Sequence, residues 1–128
     1  MNKFLRFTFI IAMLGIAGAA IIQIFMPKLL GETSQYGLSI YWQREIGFWN
    51  LAILPILIGV NYKYDYFFIK IVVLSLIIGG IGFGTNHLLG FLANNANYSN
   101  LVGSIENYVL VIMWIIGLKI EQDQQINN

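Results

Sequence analysis

The sequence predicts an all-α, polytopic membrane protein built as an antiparallel four-helix transmembrane bundle. Hydrophobic residues make up 58% of the 128 residues and charged residues only 10%, against roughly 45–50% and about 25% in soluble domains. A chain this short has too little interior to bury that much apolar surface, so a bilayer has to solvate it. The apolar residues also fall into four segments, each near the ~20 residues that cross hydrocarbon. We expect one domain over 1–128, with spans near 5–26, 43–61, 66–90 and 103–119 and a polar tail at 120–128.

The composition excludes several classes of function. The formal net charge is +1 and there is no basic run, which excludes nucleic acid as a partner. The absence of cysteine excludes disulfides, thiolate metal sites and cysteine nucleophiles. The chain has no nucleophile-elbow, zinc-protease or P-loop motif, and the glycine pair Gly82 and Gly84 lies inside a span, where it is not a nucleotide fingerprint. A non-enzymatic protein is therefore favoured over an enzyme.

The first span has two interpretations. Lys3 and Arg6 precede a charge-free run over 7–25 that contains the small residues 17–20. A basic start, an apolar run and small residues are also typical of a secretory signal. Because the apolar run continues beyond the small residues, we predict a first helix that is not cleaved.

Small residues at helical spacing predict two helix contacts. In the first span Ala12, Gly15 and Ala19 recur on one stripe. In the third span Gly80 and Gly84 form a small-xxx-small pair. Such stripes let two helix backbones approach closely in a membrane, so we expect each stripe to face another helix.

Prolines and polar residues mark the breaks between the first three spans. Pro27 and Gly31 lie in the connection over 26–43, part of which could form a short interfacial helix. Pro55 lies inside the second span and has no N–H to donate, so a kink is expected there. The short polar stretch 61–65 predicts that the second and third spans form an antiparallel hairpin.

The last span follows an asparagine-rich stretch without charge. We expect a loop over 91–103 and then a helix that has Glu106 and Asn107 in its first turns. After Lys119 the chain turns polar at Glu121, and a frayed tail is expected.

The lysines and arginines predict the orientation in the membrane. With four alternating spans, five of these residues lie on one side and two on the other. Because cytoplasmic loops carry the excess of Lys and Arg, both termini are predicted to be cytoplasmic. The five are Lys3, Arg6, Lys63, Lys70 and Lys119, and the two are Lys28 and Arg44.

The same alternation predicts a polar pocket at the extracytoplasmic end. Polar residues of all four spans fall at that end, and we expect no comparable set at the cytoplasmic end. Charged side chains inside a membrane are costly unless they pair or line a wet cavity, so these residues are expected to converge. They are Gln23, Arg44, Glu45, Asn50, Asn86, His87, Glu106 and Asn107.

Five of these residues also have a simpler interpretation. Arg44 could contact headgroups, and Glu45 and Glu106 could be carboxylates in the first turn of a helix, where the helix dipole favours them. Asn50 could be an interhelical hydrogen-bond residue. His87 shares a helical stripe with Gly80 and Gly84 and is expected to face protein. It is either satisfied by a carbonyl or by Glu45, or it is a ligand or proton carrier.

The pattern leaves cofactors unassigned. Glu45, His87 and Glu106 resemble a set of two carboxylates and one histidine that could hold a metal ion, but no local spacing fixes them together. The single histidine excludes a bis-histidine haem and leaves only a haem held by His87 and a methionine such as Met113.

Two stretches carry a resemblance to a known group. Residues 44–51 (REIGFWNL) and 82–87 (GFGTNH) resemble uncharacterised four-helix bacterial membrane proteins, which are similar in layout to DoxX-like proteins. The resemblance implies a four-helix bundle in a bacterial inner membrane and no established activity, although DoxX-like proteins are linked to quinone-dependent oxidation. Its motifs match this chain at Glu45, Asn50 and His87.

Three functions follow as hypotheses. The first is a membrane protein whose extracytoplasmic pocket binds a small ligand, a lipid headgroup or a partner. The second is a membrane redox accessory protein that binds a quinone, a haem or a metal. The third is a transporter or channel that works as a homo-oligomer, with the contact on the face from Gly79 to Gly84, because four spans alone enclose little space.

Overall fold

The chain folds into five α-helices, four of them long. A computed structural model describes residues 1–32, 38–96 and 98–127, and no strand occurs among them. The predicted all-α fold class is confirmed. Each of the four long helices is apolar and long enough to cross a membrane, so the chain is a multi-pass membrane protein. The helices are α1 (Lys3–Phe25), α2 (Pro27–Gly31), α3 (Ile40–Tyr62), α4 (Tyr66–Ala93) and α5 (Tyr98–Ile126).

The helices belong to two compact units. One unit, here called the hairpin unit, comprises Met1–Phe9 and Lys63–Asn128. The other, here called the α3 unit, comprises Ile10–Tyr62. Helix α1 therefore contributes its first turns to the hairpin unit and its remainder to the α3 unit.

Helices α4 and α5 form the centre of the hairpin unit and run antiparallel. A Cβ atom added at Gly80 would lie 2.6 Å from Val111, and one added at Gly84 would lie 3.3 Å from both Asn107 and Tyr108. Partner numbers on α5 fall as those on α4 rise, which is the register of an antiparallel pair. The predicted helix contact through the glycine pair is therefore confirmed, and it brings the two backbones close together.

The first turns of α1 pack against the far end of α5. The backbone of Leu5 approaches Gly117 so closely that an added Cβ would meet the Leu5 Cα at 3.3 Å. One turn further, the rings of Phe9 and Trp114 meet edge to face, with their centroids 4.7 Å apart. Leu5, Phe9 and Trp114 are all buried, so they form the apolar core of this end of the unit.

In the α3 unit, α1 and α3 meet through Gly47. A Cβ added there would lie 2.7 Å from Ile24, 3.0 Å from Gln23 and 3.2 Å from the carbonyl oxygen of Ala20. The predicted stripe is wrong at Gly15, around which no described atom lies within 4 Å of an added Cβ. The close approach comes instead from a glycine on α3 that sequence spacing on α1 does not reveal.

Helix α2 accounts for the break after α1. Pro27 occupies its first turn, where the missing N–H costs no hydrogen bond. Gly31 lies against Leu38, with an added Cβ 2.6 Å from that side chain. The connection predicted over 26–43 therefore includes a short helix, and its residues 33–37 lie outside the described part of the chain.

The structure corrects both ends of the last helix. Helix α4 continues to Ala93 and α5 begins at Tyr98, so the loop predicted over 91–103 is much shorter. Helix α5 also continues to Ile126, so the tail predicted to fray is helical for most of its length. Helix propensity is a weak guide where tertiary contacts decide, and the buried Glu121 supplies such a contact.

The same helix limits remove one interpretation of the two glutamates. Neither α3 nor α5 has an acidic residue in its first turn, because α3 begins at Ile40 and α5 at Tyr98. Glu45 and Glu106 are therefore not carboxylates that cap a helix start.

Candidate functional site

Three of the predicted residues take part in hydrogen bonds that join the last turns of α1 to the first half of α3, and we call Gln23, Arg44 and Asn50 the Arg44 end. The Asn50 Nδ2 group donates to Gln23 Oε1 at 2.8 Å, so the interpretation of Asn50 as an interhelical hydrogen-bond residue is supported. The Arg44 Nε group donates to the carbonyl oxygen of Ile24 at 3.3 Å. Both bonds join α1 to α3 near one end of the pair.

The bond to Ile24 fixes Arg44 but leaves most of its guanidinium available. Arg44 is exposed, and no carboxylate among the described residues forms an ion pair with it. A guanidinium group carries five N–H donors in a planar fork that suits phosphate and carboxylate oxygens. The Arg44 end therefore holds a positioned cation with its terminal N–H groups open to a ligand.

The neighbouring Glu45 takes a different position. It is exposed and forms no ion pair within the described part of the α3 unit. Among the described residues, neither Arg44 nor Glu45 therefore pairs with another charged group, and the alternative that these groups line a wet cavity stays a prediction.

In the hairpin unit His87 faces α5, as its stripe predicts. Its Nδ1 atom lies 3.0 Å from Asn100 Oδ1, and its ring covers Gly103, where an added Cβ would lie 3.1 Å from ring atoms. Because an amide oxygen only accepts, this bond requires the proton on Nδ1. The interpretation of His87 as a satisfied histidine is supported, with Asn100 as its partner in place of a carbonyl or Glu45.

The other polar residues at this end of the hairpin unit differ in their hydrogen bonding and exposure. The Asn107 Nδ2 group donates back to the carbonyl oxygen of Gly103 at 2.8 Å. The hydroxyl groups of Thr85 and Tyr108 lie 2.8 Å apart. Asn86 and Glu106 are exposed. The buried Nδ2 atom of Asn100 has no hydrogen-bond partner within the described residues.

The eight predicted site residues thus divide between the two units. Gln23, Arg44, Glu45 and Asn50 belong to the α3 unit, and Asn86, His87, Glu106 and Asn107 belong to the hairpin unit. Their convergence in one pocket stays a prediction from the alternating spans. Over the described residues, no group of three or more His, Asp or Glu side chains is placed to hold a metal ion.

A polar cluster that the sequence analysis missed lies at the other end of α5. We call Asn2, Tyr64, Glu121 and Gln125 the Glu121 cluster. Glu121 is only 1% exposed, and it accepts hydrogen bonds from the backbone N–H of Asn2, from Asn2 Nδ2 at 2.8 Å and from the Tyr64 hydroxyl at 2.8 Å. The amino group of Met1 lies 3.6 Å from the same carboxylate.

Further hydrogen bonds hold the Glu121 cluster together. Asn2 Nδ2 donates in addition to the carbonyl oxygen of Gly117, and Asn2 Oδ1 accepts from the Leu5 backbone N–H at 2.8 Å. Gln125 donates to the Tyr64 hydroxyl at 2.6 Å. Partial burial and the hydrogen bond to Glu121 raise the pKa of Tyr64 to about 12, so this phenol stays protonated and donates at neutral pH.

The expectation of no polar set at this end is therefore wrong. The sequence does carry a signal, because Val111, Trp114, Gly117 and Glu121 continue one helical stripe, and all four are buried. The acid extends that stripe past the last apolar residues. A buried carboxylate is tolerated only where donors satisfy it, and those donors come from the distant Asn2 and Tyr64.

The fold and these polar groups define a multi-pass integral membrane protein. Its Glu121 cluster has a buried carboxylate that accepts several hydrogen bonds, and its Arg44 end has an exposed guanidinium with N–H groups available to a ligand. Searches against protein-family models, curated proteins and solved structures find no significant match for this chain.

Proposed function

We propose that this chain is a bacterial inner-membrane protein that binds a lipid headgroup, or a small ligand of the same anionic chemistry, at its Arg44 end. This is the first of the three hypotheses from the sequence, with the binding site now assigned to Arg44, whose terminal N–H groups are available to a ligand. The bacterial location is supported by the resemblance at residues 44–51 and 82–87 to four-helix membrane proteins of the DoxX-like layout.

One observation carries the proposal, namely the state of Arg44. Its Nε group is anchored on the carbonyl oxygen of Ile24, while the residue is exposed and unpaired by any carboxylate in the described chain. An arginine held by its Nε presents its terminal N–H groups in a fixed direction, which lowers the entropic cost of binding an anion. The phosphate of a lipid headgroup is the anion most abundant at a membrane surface.

The predicted orientation places this site on the extracytoplasmic side. Lys28 and Arg44 are the two basic residues on the side with fewer positive charges, and both termini are proposed to be cytoplasmic by the positive-inside rule. An arginine on that side is not needed to set the orientation, which favours a binding role for it.

Native mass spectrometry of the purified protein tests the proposal. The protein is presented with an equimolar mixture of an anionic and a zwitterionic phospholipid. We expect the wild type to retain the anionic lipid, and Arg44→Gln to lose about fivefold in this preference, since the net loss of one hydrogen bond from the positioned guanidinium costs about 1 kcal/mol.

The matched control is Lys28→Gln, which removes one positive charge from an exposed residue on the same predicted side. It should leave the preference within about twofold, because Lys28 lacks the fixed geometry of a bidentate donor. An equal loss in both variants would mean that the lipid responds to net charge and that Arg44 is not a binding site.

Oligomerisation is a separate proposal. Gly80 and Gly84 are already covered by α5 within one chain, so an oligomer contact through the stretch from Gly79 to Gly84 has to use Gly79 and Gly82. Around Gly82 no described atom lies within 4 Å of an added Cβ, which leaves room for a neighbouring helix. The redox and transport hypotheses stay predictions from the sequence.

A further inference from the structure

An apolar groove runs between α1 and α3 in the α3 unit. Its volume is about 300 Å³, and several of its walls are open to the surroundings, with Ile21 59%, Phe48 58% and Leu51 49% exposed. No polar side chain lines it. Its lining includes Ala17, Ile21, Ile24, Phe48, Leu51 and Leu54.

Arg44 lies at one end of this groove. On α3, Arg44, Phe48 and Leu51 are separated by four and three residues, the spacing that places side chains on one helix face. On α1, the carbonyl oxygen that holds the Arg44 Nε group belongs to Ile24, which lines the groove. The Arg44 side chain and the apolar groove are therefore parts of one continuous surface.

We propose that the groove holds one acyl chain of an anionic phospholipid whose phosphate group is bound by the Arg44 guanidinium. The inference rests on the proposed function and adds the second half of the ligand. A headgroup at Arg44 and a chain along residues 54 to 17 have the order of polar and apolar parts that a membrane lipid has.

The size of the groove distinguishes a lipid chain from a second copy of this protein. A helix with side chains is about 10–12 Å wide, so a volume of about 300 Å³ accommodates about 3 Å of helix length, which is less than one turn. An acyl chain is one methylene wide and fits such a space lengthwise.

The two parts of the site have different energetic roles. Lipid tails are as apolar as leucine, so no hydrophobic driving force favours a chain in the groove over a chain in the bilayer. The groove contributes dispersion contacts and shape, which determine where the chain lies. Arg44 contributes the charge interaction, which determines which headgroup is retained.

The test uses an anionic phospholipid that carries a photoreactive group midway along one acyl chain, reconstituted with the full-length protein in bilayers. After illumination, the modified residues are mapped by peptide mass spectrometry. We expect modification concentrated at 17–25 and 48–54. Modification spread evenly over the four long helices, or covalent pairs of chains with no lipid in this region, would overturn the proposal.

Two variants fill the groove from opposite sides. Ala17→Phe and Leu51→Trp should each abolish the modification at 17–25 and 48–54, and the second variant keeps the test decisive if the first does not fold. The control is Leu14→Phe, because Leu14 is 70% exposed on α1 and does not line the groove. The control should be modified as the wild type is, and unchanged modification in both groove variants would contradict the inference.

The headgroup preference of the same variants separates this inference from the proposed function. Ala17→Phe should keep the preference for anionic lipid, because Arg44 is intact. If that preference persists while the groove carries no acyl chain, the inference fails and the proposed function stands. If Arg44→Gln keeps the preference, the proposed function fails, and the inference fails with it.

Discussion

The Glu121 cluster and the Arg44 end each join distant parts of the chain through polar side chains, but they differ in how completely those side chains are satisfied. Glu121 is buried and accepts from Asn2 and Tyr64. Arg44 is exposed and uses only its Nε group, on the Ile24 carbonyl oxygen. A polar group whose hydrogen-bond partners all lie inside the fold stabilises that fold. A polar group with unused N–H donors can bind a ligand.

Desolvation explains this difference. Burying a carboxylate is tolerated only where hydrogen bonds replace water, so Glu121 has to be saturated in order to lie where it does. Arg44 remains exposed near a helix end, where no such cost forces its remaining N–H groups to find partners. Substitution of Glu121 should therefore lower the stability of the protein, whereas substitution of Arg44 should lower ligand binding and leave stability nearly unchanged.

The largest expected effect is on the Glu121 cluster. Glu121→Ala removes the acceptor of the Asn2 and Tyr64 donors and should lower the free energy of unfolding by about 3 kcal/mol, as breaking buried charged contacts does. Reversible unfolding in mixed detergent micelles measures it.

The control is Asp123→Ala on the same helix. Asp123 pairs with Lys119 at 2.7 Å on an exposed surface, so its loss should cost less than about 0.5 kcal/mol. Equal losses in the two variants would mean that the Glu121 cluster contributes no more than a surface ion pair.

A smaller effect is expected where α1 meets α3. Gly47→Ala places a methyl group 2.7 Å from Ile24 and 3.2 Å from the Ala20 carbonyl oxygen, and should destabilise the protein by about 1–3 kcal/mol through overpacking. Gly59→Ala on the same helix meets no described atom within 4 Å. Equal changes in the free energy of unfolding of the two variants would contradict the close contact of Gly47 with α1, on which the geometry of the Arg44 end depends.

The smallest effect is on the pH dependence of the Glu121 cluster. Because the pKa of Tyr64 is raised from 10.0 to about 12 in the folded protein, its contribution to stability is complete below pH 10 and is lost as pH rises towards 12. Ultraviolet absorbance should resolve the ionisation of Tyr64 near pH 12. Tyr64→Phe should remove that late step, and a titration with the same late step in the variant would assign it to another tyrosine.

The apolar segments and the glycine spacing predict much of the fold. Segment length and hydropathy find all four long helices, and the Gly80 and Gly84 pair predicts that α4 contacts another helix, which in the structure is α5. These features are local, because helix periodicity is visible within one segment. Gly47 is a counterexample, since its contact depends on which face of α1 it meets.

The candidate site is predicted less completely. Sequence identifies Arg44, Asn50 and His87 as polar residues near helix ends, but their partners Ile24, Gln23 and Asn100 follow from side-chain directions that spacing alone does not determine. The Glu121 cluster is missed because Asn2 and Glu121 lie at opposite ends of the sequence. A polar residue after an apolar run resembles a tail until its donors are known.

The most direct test of the central claim is the stabilisation of the protein by anionic lipid. A ligand that binds only the folded state raises the unfolding free energy, by about 2.7 kcal/mol at a hundredfold excess over its Kd. We predict that anionic lipid stabilises the wild type and Glu121→Gln by the same increment, although Glu121→Gln starts from a lower value. Arg44→Gln should start near the wild-type value and gain about 1 kcal/mol less from the lipid, in line with a fivefold weaker Kd. An increment that is undiminished in Arg44→Gln, or that disappears in Glu121→Gln, would contradict the assignment of binding to one end and stability to the other.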